Sequence, residues 1–245
     1  MKIMLLMGGT NIQMNKEDYP LYLTEINKQM ILEKRLHDCL PLEPSQFLFC
    51  VKTEDIRRFR VAEIIAQIVP NSMIIPIHSQ TKGSVCTALL GMEYIDNEEE
   101  ELLLLAVDDF IDDDMKAIVD HFRQNQCDAG VVSFTSVHPR YSFAKLDDTG
   151  TVVEVSEKRP ISKHALVSFY YFRHGQDFTA CAMNVIRKDN PIGDGFYISQ
   201  TLNEMILQQK KIGLYRVEND KFHPLKTEAQ LSQYLADVRH LQESK

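Results

Sequence analysis

The run Leu102–Val107 is apolar at every position and stops on two adjacent aspartates, Asp108 and Asp109. A strand without polar alternation has to be covered on both faces, as happens inside a parallel sheet packed between helices. Runs of the same kind recur at Ile3–Met7, Phe47–Val51, Met73–Ile77 and Gly130–Ser136. Helical patterns lie between them, over Met30–Cys39, Ile56–Ile68, Gly83–Met92 and Met115–Gln124. The alternation predicts an α/β fold, a Rossmann-like mixed, mostly parallel sheet flanked by helices.

Beyond His138 the rhythm changes. Tyr141–Asp147 and Val152–Val155, joined through Asp148-Thr149-Gly150, read as an antiparallel hairpin appended to that sheet. Leu166–Phe172 and Leu214–Val217 follow as strands, with helices over Phe178–Arg187, Ile198–Gln208 and Glu228–Leu241. No linker, repeat or low-complexity segment divides the 245 residues, so a single domain over 1–245 is expected.

A net charge of −8 argues against a nucleic-acid partner and against an acidic membrane surface, both of which call for an excess of cations. A nucleotide needs only a few local ones. The five cysteines lie far apart with no CxxC pair, and read as buried, reduced thiols rather than a zinc site. The opening MKIMLLMGG is interrupted too soon for a signal peptide, and no apolar stretch approaches membrane-span length. The expectation is a cytoplasmic protein with no membrane insertion.

Four segments at strand C-termini, where open α/β sheets bind ligands, carry candidate chemistry. Gly8-Gly9-Thr10 follows the first strand; its glycines admit a phosphate to the backbone, although a plain tight turn has the same pattern. Gln80-Thr81-Lys82-Gly83 precedes a helix: Gln80 suits a base edge and Gly83 a flat ring, and an ordinary helix-entry loop reads the same way. Asp108-Asp109 puts two carboxylates near a core, which is costly without a cation, and a magnesium ion shared with substrate phosphates meets that need. Asp112, Asp113 and Asp114 fit caps for the following helix, although Asp112-x-Asp114 also has the spacing of a glycosyltransferase metal site. In Glu154–Pro160, Glu157 suits sugar hydroxyls and Lys158 a phosphate, where the alternative is a solvated pair. Tyr170 and Tyr171 fit the core. No nucleophile elbow, H-E-x-x-H or Walker lysine is present.

Taken in order, MGGTN, YPLYLTEINKQMILEKRL, QTKGSVCTALL, LLLLAVDDFID, YSFAKLDDTGTVVEVSEKRP, ALVSFYYF and FHPLKTEAQLSQYL resemble the sugar-phosphate nucleotidyltransferases over almost the whole chain. The resemblance implies an enzyme that joins an NTP to a sugar 1-phosphate or similar small phosphorylated acceptor and releases pyrophosphate, for surface polysaccharide or glycoconjugate biosynthesis. Residues 1–136 would form the nucleotide-binding half and 137–245 the acceptor-binding half. Gly8, Gly9, Thr10, Gln80 and Gly83 would bind the nucleotide. Asp108 would bind Mg2+ and act with Lys158 in catalysis, while Glu157, Lys158 and Ser142 would bind the acceptor. A homodimer stays open.

The chain also departs from the family pattern. Asn11, Ile12 and Gln13 stand where an arginine grips the triphosphate, and Tyr19 stands for the lysine before the Pro-Leu pair. The second metal-binding aspartate, which precedes a Gly-Thr pair, is replaced within His223-Pro224-Leu225-Lys226-Thr227. Ser142 and Ser168 replace glycines. Lys16 and Asp220 are candidate substitutes for the lost charges. The alternative is a fold of this type that has lost catalysis and binds a nucleotide or nucleotide-sugar as sensor or scaffold.

Overall fold

A computed structural model describes residues 1–8, 19–97 and 99–243, without the side chains of 237–243. Gly9, Thr10, Asn11, Ile12, Gln13 and Lys16 lie outside the described residues.

The first half of the chain runs β1 (Lys2–Met7), β2 (Glu25–Ile26), β3 (Gln29–Met30), α1 (Ile31–Cys39), β4 (Gln46–Lys52), α2 (Thr53–Phe59), α3 (Val61–Ile68), β5 (Met73–Ile77) and α4 (Ser84–Met92). It continues through β6 (Leu102–Ala106), β7 (Asp109–Ile111), α5 (Met115–Gln124) and β8 (Ala129–Thr135). The second half contains β9 (Ser142–Leu146), β10 (Val152–Glu157), β11 (His164–Phe172), α6 (Gly175–Arg187), α7 (Ile198–Leu207), β12 (Ile212–Arg216), β13 (Phe222–Pro224) and α8 (Glu228–Glu243).

One nine-stranded sheet holds both halves together. Strands β6, β1, β4 and β5 are neighbours in parallel register. Strand β11 joins the sheet antiparallel to β6, so Phe169 faces Leu105 and Phe172 faces Leu102. The predicted hairpin is β9–β10, with Ser142 opposite Glu157, and β9 continues the sheet beside β11.

Alternate residues of the apolar strands feed two separate cores. Ile3, Phe49, Leu105 and Phe169 lie in one, and Met4, Leu48, Leu104 and Tyr170 in the other. That two-sided burial is what an unbroken apolar run requires. Tyr170 and Tyr171 are both buried, one on each face. The cysteines are all free thiols, four of them buried and Cys86 partly so. No helix among the described residues is long and apolar enough to cross a membrane.

Two elements differ from the sequence-based expectation. The pattern Ile56–Ile68 is two helices, because Arg60 adopts a left-handed conformation (φ 54°) between them. Val61 and Ile65 then face the core while the Arg57-Arg58 turn stays outside it. Asp109 does not close a strand before a helix but opens β7, a three-residue strand paired with β13. Asp114 does cap α5, accepting from the backbone N–H groups of Lys116 at 2.8 Å and Ala117 at 3.3 Å.

Candidate functional site

Asp108 lies in the turn between β6 and β7, half-buried at the carboxyl end of the sheet. The β7–β13 ribbon brings the His223–Thr227 segment to it, setting Pro224 opposite Asp109, and the Leu225 N–H donates to the Asp108 carbonyl at 2.7 Å. The segment that departs from the family pattern is therefore delivered directly to the two aspartates.

The cation that these carboxylates require is a residue of the chain. Lys226 Nζ lies 2.9 Å from Oδ1 of Asp109, whose side chain is only 3% exposed. The Ser168 N–H donates to Oδ2 of the same carboxylate at 3.2 Å. Burial alone would raise the Asp109 carboxyl, but Lys226 and Ser168 outweigh it and hold it below the usual range. The same balance works in reverse at Lys226, where burial disfavours the ammonium while Asp109 and Asp108 keep it protonated. Burial pushes Asp108 up to about 6, Asp109 adds to the rise, and Lys226 and Arg35 oppose it.

Arg35 went unnoticed in the sequence because it sits in the amphipathic pattern of α1. Its side chain is almost wholly buried, and its guanidinium stacks 4.6 Å from the Phe110 ring centre. Among the described residues its Nε has no hydrogen-bond partner. Phe110 follows Asp108 by two positions, which brings a second permanent cation to the strand end.

Glu157 ends β10 and Lys158 follows it with φ 56°. Glu157 Oε2 accepts hydrogen bonds from Ser142 Oγ and, at 2.7 Å, from Ser199 Oγ. The Lys158 N–H donates to the Tyr141 carbonyl at 3.0 Å, and its ammonium donates to the Tyr197 hydroxyl at 2.7 Å. Strand β11 links this group to the aspartates, since β9 pairs with it and its Ser168 N–H reaches Asp109. The Tyr141 hydroxyl is raised by burial and also feels Asp109 and Lys226, and Tyr170 is raised by burial with Glu157 and Asp109 adding to it. Tyr197 and Ser199 were not anticipated. They open α7, and only their sequence position just after Gly193-Asp194-Gly195, a turn signal before a helix, hinted at a site loop.

The loop Gln80–Gly83 is tied to the same region. Phe196 N–H donates to the Lys82 carbonyl at 2.8 Å, Val85 N–H to the Phe196 carbonyl at 3.1 Å, and Ile198 N–H to Ser84 Oγ at 3.2 Å. Gly83 has φ 95°, and a Cβ there would sit 2.3 Å from the Phe196 carbonyl oxygen. Its glycine is thus required by the approach of the chain's own backbone. Gln80 is exposed, and Gly8 is buried where a Cβ would press on Ile77 and Thr87 at 3.3 Å. Asp220 is exposed in the turn before β13, and Asp113 pairs with Lys221 at 3.2 Å.

Magnesium was expected at Asp108. Among the described residues no three His, Cys, Asp or Glu side chains group as ligands. Asp109 is committed to Lys226, and the segment His223–Thr227, which replaces the family's second metal-binding aspartate, brings no carboxylate. Asp108 is then the carboxylate of the pair not committed to an ion pair, and one carboxylate with substrate phosphates is a set that magnesium accepts, so Asp108 is the residue that would hold it.

A family model described as nucleotidyl transferase matches residues 12–212. No protein of curated function matches the chain in sequence. Among solved structures, the chain is similar to a nucleoside-diphosphate-sugar pyrophosphorylase from Vibrio cholerae RC9, at TM-score 0.79 and 20% identity over 96% of this chain and 100% of that one. It is similar to a UDP-glucose pyrophosphorylase complexed with UDP-glucose at TM-score 0.75 and 14% identity, over 100% and 99% of the two chains. The inositol-1-phosphate CTP transferase from T. maritima aligns at TM-score 0.75 and 9% identity, over 96% and 93%.

Proposed function

The chain belongs to the nucleotidyl transferase family, and from that premise we propose that it joins a nucleoside triphosphate to a sugar 1-phosphate or similar small phosphorylated acceptor, with release of pyrophosphate. The observation that carries the reading is that Glu157-Lys158 and the two aspartates are brought together by the sheet: β10 pairs with β9, β9 with β11, and the Ser168 N–H of β11 donates to Asp109. An acceptor site beside a phosphate site is what a transfer between two phosphorylated substrates needs.

In this reading an acceptor phosphate oxygen attacks the α-phosphorus in line. The bond to the bridging oxygen of the β-phosphate breaks, and pyrophosphate leaves. Ser142 and Ser199 both bond Oε2 of Glu157, which leaves Oε1 to accept from an acceptor hydroxyl. The Lys158 ammonium has N–H groups beyond the one given to Tyr197, and these meet the acceptor's phosphate. Gly8 and Gln80 lie on the nucleotide side, as does Gly83, whose pairing with Phe196 shapes the loop that faces the base. The product would be an activated sugar for surface polysaccharide or glycoconjugate assembly. Pyrophosphate release is measured with each NTP and a panel of sugar phosphates, with magnesium and with chelator. Turnover is expected with at least one pair and to fall about 10²–10³-fold in Asp108→Ala; no release with any pair rejects transfer.

The non-catalytic reading has one observation in its favour, the pairing of Asp109 with Lys226, which takes one of the two adjacent carboxylates away from any metal. It predicts that a nucleotide-sugar raises the melting temperature with no turnover for any substrate pair.

A further inference from the structure

We propose that Tyr197 is a positioning residue for the transfer: it fixes the ammonium of Lys158 at the acceptor side of the site without neutralising it. The proposal rests on the functional reading above and adds the group that readies Lys158 for the acceptor's phosphate.

Lys158 is aimed by its backbone. Its φ of 56° is left-handed, a conformation that is costly for a residue with a side chain and persists only where the surroundings impose it. The bond from its N–H to the Tyr141 carbonyl, at 3.0 Å, holds it there. The exposed side chain then leaves the end of β10 with its ammonium 2.7 Å from the Tyr197 hydroxyl and 4.4 Å from the centre of that ring. Tyr197 is itself fixed from both sides. Phe196 before it is bonded to Lys82 and Val85, its own N–H donates to Gln200 Oε1 at 2.8 Å, and the Ile198 N–H after it donates to Ser84. Two residues on, Ser199 holds Glu157. One short segment therefore holds both Glu157 and Lys158, and the same segment meets the Gln80–Gly83 loop.

The chemistry of the partner decides what Lys158 can do. Lys188, Lys210, Lys221 and Lys226 each lie within 3.2 Å of a carboxylate, which offsets the charge of the ammonium it holds. A hydroxyl accepts one N–H and leaves the whole positive charge, with two further donors, for an incoming anion. A lysine stem is flexible, and ordering such a side chain on binding costs free energy. With the ammonium already held, that cost does not fall on the acceptor.

The test takes whichever NTP and sugar phosphate release pyrophosphate in the panel above and compares the KM of each substrate in variants of the whole protein. Tyr197→Phe should raise the acceptor's KM about three- to tenfold, as for one hydrogen bond, with the NTP's KM and the melting temperature little changed. Tyr197→Glu puts a carboxylate within reach of the same flexible lysine and should raise the acceptor's KM about tenfold further. In a Lys158→Met background Tyr197→Phe should add less than about twofold, because the group it positions is gone. Equal acceptor KM in the Phe and Glu variants, a parallel rise in the NTP's KM, or full additivity with Lys158→Met would each overturn the proposal and leave the functional reading standing. Absence of pyrophosphate with every substrate pair rejects the functional reading, and the proposal with it.

Discussion

Lys226 holds its ammonium 2.9 Å from Oδ1 of Asp109, joining the turn after β13 to the first residue of β7. The contact explains how two adjacent aspartates are tolerated at the end of a fully apolar strand. It also ties the C-terminal part of the chain to the central sheet, since the Leu225–Asp108 backbone bond lies beside it.

Lys226→Met should therefore lower stability. Removing one partner of a buried pair leaves the other charge uncompensated, and because Lys226 is itself partly exposed, the cost is set at about 2 kcal/mol rather than the larger figure for wholly buried pairs. Urea denaturation measures it. Asp109→Asn combined with Lys226→Met should recover part of the loss, and a double variant no more stable than the single one would contradict this account.

Gly83→Ala and Gly150→Ala form a matched pair. Both glycines have positive φ, 95° and 83°, but nothing lies within 4 Å of a Cβ at Gly150, while one at Gly83 meets the Phe196 backbone at 2.3 Å. Backbone strain alone should cost about 1 kcal/mol at Gly150. At Gly83 the loop and the start of α7 must move apart, with a loss of about 3 kcal/mol or more. Thermal melts of the two variants give the comparison.

Ser199→Ala removes one of the two hydroxyls that hold Glu157. The acceptor's KM should rise about three- to tenfold, as for one hydrogen bond, while the NTP's KM and the melting temperature change little. A rise in both KM values would place Ser199 in a general structural role.

Acid should weaken the fold through Glu101. Burial pushes its carboxyl upward, but hydrogen bonds from Arg123 at 2.8 and 2.6 Å and from the Tyr171 hydroxyl at 2.6 Å outweigh burial and leave it below the usual range. A carboxyl depressed in the folded state contributes stability above its unfolded value, about 4.3, and loses it as pH falls through the folded value. Denaturation midpoints should drop as the pH is lowered below about 4, and Glu101→Gln should flatten that part of the profile.

Much of the fold was legible because burial is written into local pattern. Unbroken apolar runs declared β1, β4, β6 and β8 as strands covered on both faces, and the Asp-Thr-Gly turn declared the β9–β10 hairpin. The position of Asp108 at a strand end and of Glu157-Lys158 after a hairpin followed from the same pattern. The break at Arg60 was not legible, since no glycine or proline marks it.

What the sequence by itself determined is that Asp108 and Asp109 would need positive charge nearby, because two carboxylates at the end of an apolar strand cannot be left uncompensated. Only the tertiary structure decided where that charge comes from. Lys226 and Arg35 stand far from Asp108 along the chain, and they reach it through the β7–β13 ribbon and the packing of α1 on Phe110. Local periodicity carries no information about such pairings, which depend on how whole elements are brought together.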